Sequence, residues 1–358
     1  MTAAGVVQAR LGAIAAFFIK RVIAGTMAAL APMLIAQGAA AQDVRATIQK
    51  ANIYIEVAKM TERAVDSWDR YASWVNLKTG PTGKERYISY GMYPIYDISG
   101  LLQEARRIAG LKPSTPKLDA AMKRYMDAYE AAVPVLNRAN DYYDRQGYRT
   151  DGMAEGRALH ARMVPLATAF LAEREAMLQA LRPFVREVEQ QEVGAIEARE
   201  GRSRAWQAAH VMLAANRVVD VFPRIRPTPM SADMIDEKMR AIGPTTPGAK
   251  LDEIISGVVP PQGVVIDMKR FDAAMKAYVE AVETFDRFAA EKPDGLKGFK
   301  DLPRRLLNGL RALQEPLARN QGRDFGGSGP LVGQVVQTYF AMQSASREVS
   351  QSQVRHLE

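Results

Sequence analysis

The residues able to do chemistry in this chain are few. There are three histidines, His160, His210 and His356, and no cysteine. Without thiols there is no thiolate zinc site, no iron–sulfur cluster, no cysteine nucleophile and no disulfide framework. No histidine has a second imidazole at helical metal-ligand spacing, so no metal site is expected and none of the chain's residues is assigned to one. A serine hydrolase would need His160 or His210, since His356 stands at the tail. No Gly-x-Ser-x-Gly elbow accompanies either one. Acidic residues such as Glu187, Glu189, Glu192, Glu197 and Glu200 alternate with arginines at helical spacing, the pattern of a solvated helix face. Gly80-Pro-Thr-Gly-Lys84-Glu85 has two residues between its glycines where a phosphate loop has four, and Glu85 where that loop has Ser or Thr. Nucleotide binding through this segment is rejected. No catalytic residue and no cofactor are assigned.

The densest unusual feature is aromatic. Eleven of the thirteen tyrosines lie between Tyr54 and Tyr148, and Tyr87, Tyr90, Tyr93 and Tyr96 recur every third residue. Tyrosine offers apolar area and a hydroxyl at low entropy cost, so such a segment either lines a binding surface or plugs a helical bundle. The candidate ligand-binding residues are Trp74, Tyr87, Tyr90, Tyr93, Tyr143 and His160. The expected arrangement packs Gly80–Asp97 against the region Tyr142–His160.

The elements that must position these residues read as helices. The chain of 358 residues is 47% hydrophobic and 25% charged, enough for a sizeable core. Ala, Glu, Arg, Leu, Met and Gln dominate, and alternating strand patterns are nearly absent. The clearest helix follows Pro116, with apolar residues at Leu118, Met122, Tyr125, Tyr129, Ala132, Leu136, Ala139 and Tyr143 stepping by four and three. A second runs from about Met153 with Leu159, Met163, Leu166, Phe170, Met177, Leu181, Phe184 and Val188, and Gly194 and Gly201 are its expected weak points. An earlier one is expected from about Asp43 to Leu77, with Ile53, Val57, Met60, Ala64, Trp68, Tyr71 and Val75 on one face. Pro134, Pro165 and Pro183 inside these patterns predict kinks. The fold class is therefore all-α, an elongated bundle of long, Pro-kinked antiparallel helices.

Leu118-Asp-Ala-Ala-Met-Lys-Arg-Tyr125 matches Phe271-Asp-Ala-Ala-Met-Lys-Ala-Tyr278 at six of eight positions, which makes the chain a candidate internal duplication. The expected organisation is a signal peptide over 1–41, an N-terminal helical half over 42–222, a Pro/Gly-rich connector over 223–268 and a C-terminal helical segment over 269–358.

The signal reading rests on residues 1–41, which carry Arg10, Lys20 and Arg21, no acidic residue, an apolar run Val22–Ile35 and Ala39-Ala40-Ala41. The run is shorter than the roughly 20 residues a membrane span takes, so no stable span remains after cleavage. Past residue 41 there are 45 basic against 40 acidic residues, interspersed rather than gathered in a basic arm. Nucleic acid is not an expected partner.

Tyr71-Ala-Ser-Trp74-Val, Gly80-Pro-Thr-Gly-Lys-Glu85, Leu118-Asp-Ala-Ala…Tyr125, Tyr142-Tyr143…Tyr148…Asp151 and Gly156-Arg-Ala-Leu-His160 together resemble the YiiG-like family of bacterial envelope proteins. The resemblance covers about residues 50–200. It implies export and a helical fold, and carries over no catalytic residue because the family's function is unknown. Many members look like lipoproteins. This chain has no cysteine to acylate, which points to a periplasmic form. The functional expectation is a non-catalytic envelope protein that binds a ligand or protein partner of the envelope. The alternative is a hydrolase of cell-envelope material using His160 or a carboxylate pair.

Overall fold

The computed structural model describes residues 39–222, 265–292, 294–296, 298–322 and 329–355. Its helices are α1 Ala39–Met60, α2 Glu62–Ala72, α3 Ser99–Ala109, α4 Pro116–Asp144, α5 Tyr148–Asp151, α6 Ala154–Glu200, α7 Arg204–Val219, α8 Met268–Glu291, α9 Leu302–Arg319 and α10 Gly329–Arg355. One 3-10 turn, Ile88–Tyr90, interrupts the loop between α2 and α3. Among the described residues there is no strand, and the protein is all-α. Most of the expected signal segment, nearly all of the expected connector and His356 lie outside the described residues.

By packing, the described residues fall into two units. One takes Arg45–Val185, the other 39–44, Arg186–Phe222 and the described residues from 265 onward. Helix α6 supplies residues to both.

In the first unit α4 is the central element. All eight residues of its apolar stripe, Leu118 to Tyr143, are buried. Pro134 removes one backbone donor, yet α4 continues through it. Pro165 and Pro183 likewise stand inside α6. The expected helix from Asp43 to Leu77 is instead two helices broken at Thr61. The Thr61 hydroxyl donates to Val57 O (2.7 Å) and lies 3.1 Å from Ala58 O, capturing carbonyls at the end of α1. It also meets the Tyr125 hydroxyl of α4. Across the break Val57, Ala64, Trp68, Tyr71 and Val75 of the expected face are buried, together with Tyr54, Ala58 and Val65, whereas Met60 is 40% exposed. Glu62 at the first turn of α2 pairs with buried Arg174 of α6.

In the second unit α7 packs on α8 and α10, and α9 packs on the same two. Four helices thus enclose one core. Phe271, Met275, Tyr278 and Phe285 of α8 face Leu306, Leu310 and Leu313 of α9 and Val211 and Ala215 of α7. Gly201, at φ +65°, ends α6, and Ser203 starts α7 by accepting the Trp206 N–H on its side chain. The two copies of the repeated octad lie on α4 and α8, with Leu118, Met122 and Tyr125 buried as are Phe271, Met275 and Tyr278.

Candidate functional site

Helix α2 ends at Ala72, and the chain then has to reverse before α3. The reversal uses Gly80 at φ +77°, a conformation that costs a residue with a side chain. Space demands glycine there as well. A Cβ built on Gly80 would fall 2.9 Å from Cδ2 of His160. The loop beyond it is closed by its own carboxylate. Glu85, 8% exposed, accepts from the Thr82 N–H, the Thr82 hydroxyl (2.8 Å) and the Gly83 N–H (2.9 Å). Those amides are therefore occupied, and this loop has no free N–H cradle at Thr82 and Gly83 to offer a phosphate.

Under this loop sits a tight aromatic cluster. The Tyr71 hydroxyl lies 2.8 Å from His160 Nδ1. The Tyr71 ring meets Trp74 edge-on at 5.1 Å and Tyr143 at 5.9 Å, and Trp74 meets Tyr143 at 5.0 Å. The Trp74 indole donates to Gly91 O at 2.9 Å. Burial pushes the Tyr71 and Tyr143 hydroxyls far above the ordinary phenol range, so both stay protonated. Burial also lowers the His160 pKa, opposed by a hydrogen bond with the Leu77 backbone. A neutral His160 carrying its proton on Nε2 receives the Tyr71 hydroxyl proton at Nδ1.

The structure thus brings together three of the six sequence-predicted residues, Trp74, Tyr143 and His160, with Tyr71 at their centre. Tyr71 was legible as one of a helix face and of a family motif, not as a site residue. The other three, Tyr87, Tyr90 and Tyr93, stand apart from this cluster as side chains, although their segment does pack there through Gly80, Gly83 and Gly91.

Tyr93 and Tyr96 lie on an extended strap, Gly91–Ile98, Tyr90 ends the 3-10 turn before it, and Tyr87 stands just ahead of that turn. The strap's backbone is bonded almost entirely by side chains. The Ser67 hydroxyl donates to Tyr93 O (2.8 Å), and the Tyr93 N–H reaches Ser67 Oγ (3.2 Å). Asn137 of α4 accepts from the Ile95 N–H and donates to Ile95 O, both at 2.9 Å, as a neighbouring strand would. Arg63 Nε donates to Pro94 O at 3.0 Å, and Arg70 Nε donates to Tyr90 O. Met92 and Ile95 point into the core, whereas Tyr90 is 45% and Tyr96 67% exposed.

The exposed rings are interleaved with guanidinium groups. Arg63 and Arg70 each lie 4.3 Å from the Tyr93 ring centroid. Arg63 also reaches Tyr96 at 6.0 Å, Arg70 reaches Tyr90 at 5.7 Å, and Arg86 covers Tyr87 at 5.4 Å. These contacts fix the arginines by cation–π attraction. Sequence reading missed Arg63 and Arg70. Their spacing of seven puts them on one face of α2, but only the folded strap pairs that face with the tyrosines.

His210 stacks on Trp206 at 4.6 Å and is not part of this region. Among the described residues no group of three His, Asp or Glu side chains could hold a metal ion. Among the same residues no helix is long and apolar enough to cross a membrane.

Comparison with known proteins bears on the segment that carries the site. The uncharacterized protein YiiG of Escherichia coli strain K12 is 28% identical over 174 residues, 48% of this chain and 49% of that protein. The chain therefore matches about half the length of this curated relative. No solved structure matches. A family model described as a protein of unknown function, DUF3829, matches residues 45–237, more than half of the chain and the whole of the site. The chain belongs to the DUF3829 family.

Proposed function

We propose that this protein is an exported bacterial envelope protein that acts by binding, not by catalysis. Its binding face is the tyrosine strap with Arg63 and Arg70, and its partner is a ligand or protein of the envelope. The observation that carries the reading is the exposure of Tyr90 and Tyr96 on a strap whose backbone is pinned by Ser67, Asn137, Arg63 and Arg70. A rigid backbone holding exposed aromatic rings loses little entropy on binding. The cluster of buried Trp74 and Tyr143 with half-buried His160 serves as the platform beneath it. Residues 1–41 act as a cleaved signal peptide, the mature chain is periplasmic, and 223–268 connects two helical segments.

The hydrolase reading has less support. Nδ1 of His160 faces the Tyr71 hydroxyl at 2.8 Å, and Gly80 closes on the ring edge. An imidazole so engaged is poorly placed as a general base.

Retention of the purified protein on washed cell envelopes tests binding. Wild type should pellet with envelopes, and a Tyr90→Ala/Tyr96→Ala variant of unchanged helicity should pellet at least fivefold less. Equal retention of the two overturns the strap as the binding face. Export is read separately, from the mass of the periplasmic protein. It should begin near Gln42.

A further inference from the structure

We infer that the Arg63–Arg70 pair is a receptor for the anionic groups of a saccharide. The inference rests on the binding reading above and adds the chemistry of the ligand.

The first argument is charge. Most arginines of the first unit that enter ion pairs do so at close range. Arg106 pairs with Asp127 and Glu130, Arg107 with Glu104, Arg124 with Glu173, Arg138 with Glu155 and Arg174 with Glu62. Arg63 and Arg70 do not. Among the described residues each spends its Nε on a strap carbonyl and its flat face on tyrosine, with no carboxylate at ion-pairing distance. Asp97, the acidic residue of the strap, is turned to the Ser99 N–H (2.9 Å) and hydroxyl. Both guanidiniums lie 4.3 Å from one ring centroid, so they are no more than about 9 Å apart. Two like charges held this close, with no ion pair to a carboxylate among the described residues, favour an anion across them. Their Nη donors form the planar fork that suits a carboxylate or phosphate.

The second argument selects the class of anion carrier. An acidic peptide adding as a strand needs free backbone groups, and those of Tyr93 and Ile95 are taken by Ser67 and Asn137. A lipid surface needs side chains to enter the acyl boundary, but the strap's Met92 and Ile95 are buried at 7% and 6% exposure. Besides Pro94 and Asp97, what the strap presents to solvent is tyrosine, with flat apolar faces and polar rims. That combination matches sugar rings, which have apolar C–H faces and polar edges, bearing carboxylates or phosphates for the arginines.

Titration calorimetry of the full chain separates these cases. The probes are an oligogalacturonate, a mannose-6-phosphate oligosaccharide, neutral dextran and poly-glutamate of matched charge. Binding to at least one anionic saccharide and not to dextran is expected, weakening as salt rises. Arg63→Gln/Arg70→Gln should weaken it at least tenfold. Because that change also removes two strap hydrogen bonds, Tyr96→Ala serves as a second variant. It should weaken saccharide binding about threefold or more, with helicity unchanged. Equal binding by the Arg variant, tighter binding of poly-glutamate, or no binding of either anionic saccharide each overturns the inference. If envelope retention survives any of these results, the binding reading stands and only its ligand class falls.

Discussion

The Tyr71 hydroxyl and Nδ1 of His160 lie 2.8 Å apart, joining α2 to α6 beneath the loop at Gly80. This contact engages His160, a half-buried imidazole. Burial lowers its pKa from the ordinary imidazole value. The unfolded chain binds a proton near pH 6.5, whereas the folded one binds it only at lower pH. Stability from this group is thus present above about pH 6.5 and declines as pH falls toward the folded pKa. NMR of the imidazole should place its titration below pH 6.5. Titration at or above that value would show that the ring is open to water. Tyr71→Phe takes the donor from a half-buried ring nitrogen, and should cost about 1 kcal/mol in urea unfolding.

Glu189 gives a pH dependence of opposite sign in the second unit. It is 7% exposed, and accepts from Asn216 Nδ2 at 3.0 Å. Asn216 Oδ1 accepts from the Tyr339 hydroxyl (2.6 Å), which in turn accepts from Gln343 (2.8 Å). Desolvation first, then the charges of Asp220 and Glu192, push its pKa up to about 8. A carboxyl with a raised folded pKa contributes stability fully present below the unfolded value near pH 4.5, and lost as pH rises through about 8. Glu189→Gln keeps the acceptor for Asn216 and removes the titration. Thermal unfolding of the variant should equal wild type near pH 5, and exceed it by several degrees at pH 9. Parallel pH profiles would rule out a buried, neutral Glu189.

What could be read from sequence, and what could not, follows from the range of the forces. The α4 stripe from Leu118 to Tyr143 was legible because burial of a regular helix depends only on spacing, and all eight residues are buried. The helix before it was misread at Met60. Period counting assumes unbroken rotation, and the side chain of Thr61 ends that rotation by taking Val57 O and Ala58 O. Likewise the joining of Trp74, Tyr143 and His160 was anticipated from two chain reversals, but the parting of Tyr87, Tyr90 and Tyr93 from them was not. The place of Tyr90 and Tyr93 is decided by Arg70, 20 residues from Tyr90, by Arg63, 31 residues from Pro94, and by Asn137, 42 residues from its partner Ile95. Side-chain bonds to an irregular strap leave no periodic trace.

Lys50 supplies a stability test at the other end of the first unit. It is 1% exposed, with Nζ 2.9 Å from Pro113 O, 3.4 Å from Leu111 O, 3.3 Å from Thr115 Oγ1 and 3.0 Å from Asp119. Tyr54 donates to the same Asp119. One ammonium thus ties α1 to the loop and first turn ahead of α4. Lys50→Met keeps the length of the stem but leaves Asp119, whose side chain is 15% exposed, without its cation. A loss of about 3–5 kcal/mol in urea unfolding is expected. Lys50→Met/Asp119→Asn should recover a good part of it, since the second change removes the stranded charge. A single variant as stable as wild type would mean that water already serves the carboxylate.

The strap's rigidity, on which binding depends, is tested at Asn137. Its side-chain amide makes two bonds to Ile95, both at 2.9 Å, and no ladder partner stands in for it. Removing the amide frees one backbone N–H and one carbonyl. Ile95 itself stays buried at 6% exposure, so the strap should loosen locally without unfolding α4. In Asn137→Ala, hydrogen exchange at the Ile95 amide should quicken by a factor of ten or more, while amides in the middle of α4 keep their protection. The Tyr93 amide, held separately by Ser67 Oγ at 3.2 Å, should change less. Asn137→Asp separates geometry from donor number, because it retains the acceptor for the Ile95 N–H and loses the donor to its carbonyl. Exchange at Ile95 should then lie between wild type and the alanine variant. Unchanged exchange in both variants would mean that packing of Met92 and Ile95 alone fixes the strap, and that the arginine–tyrosine face owes nothing to α4.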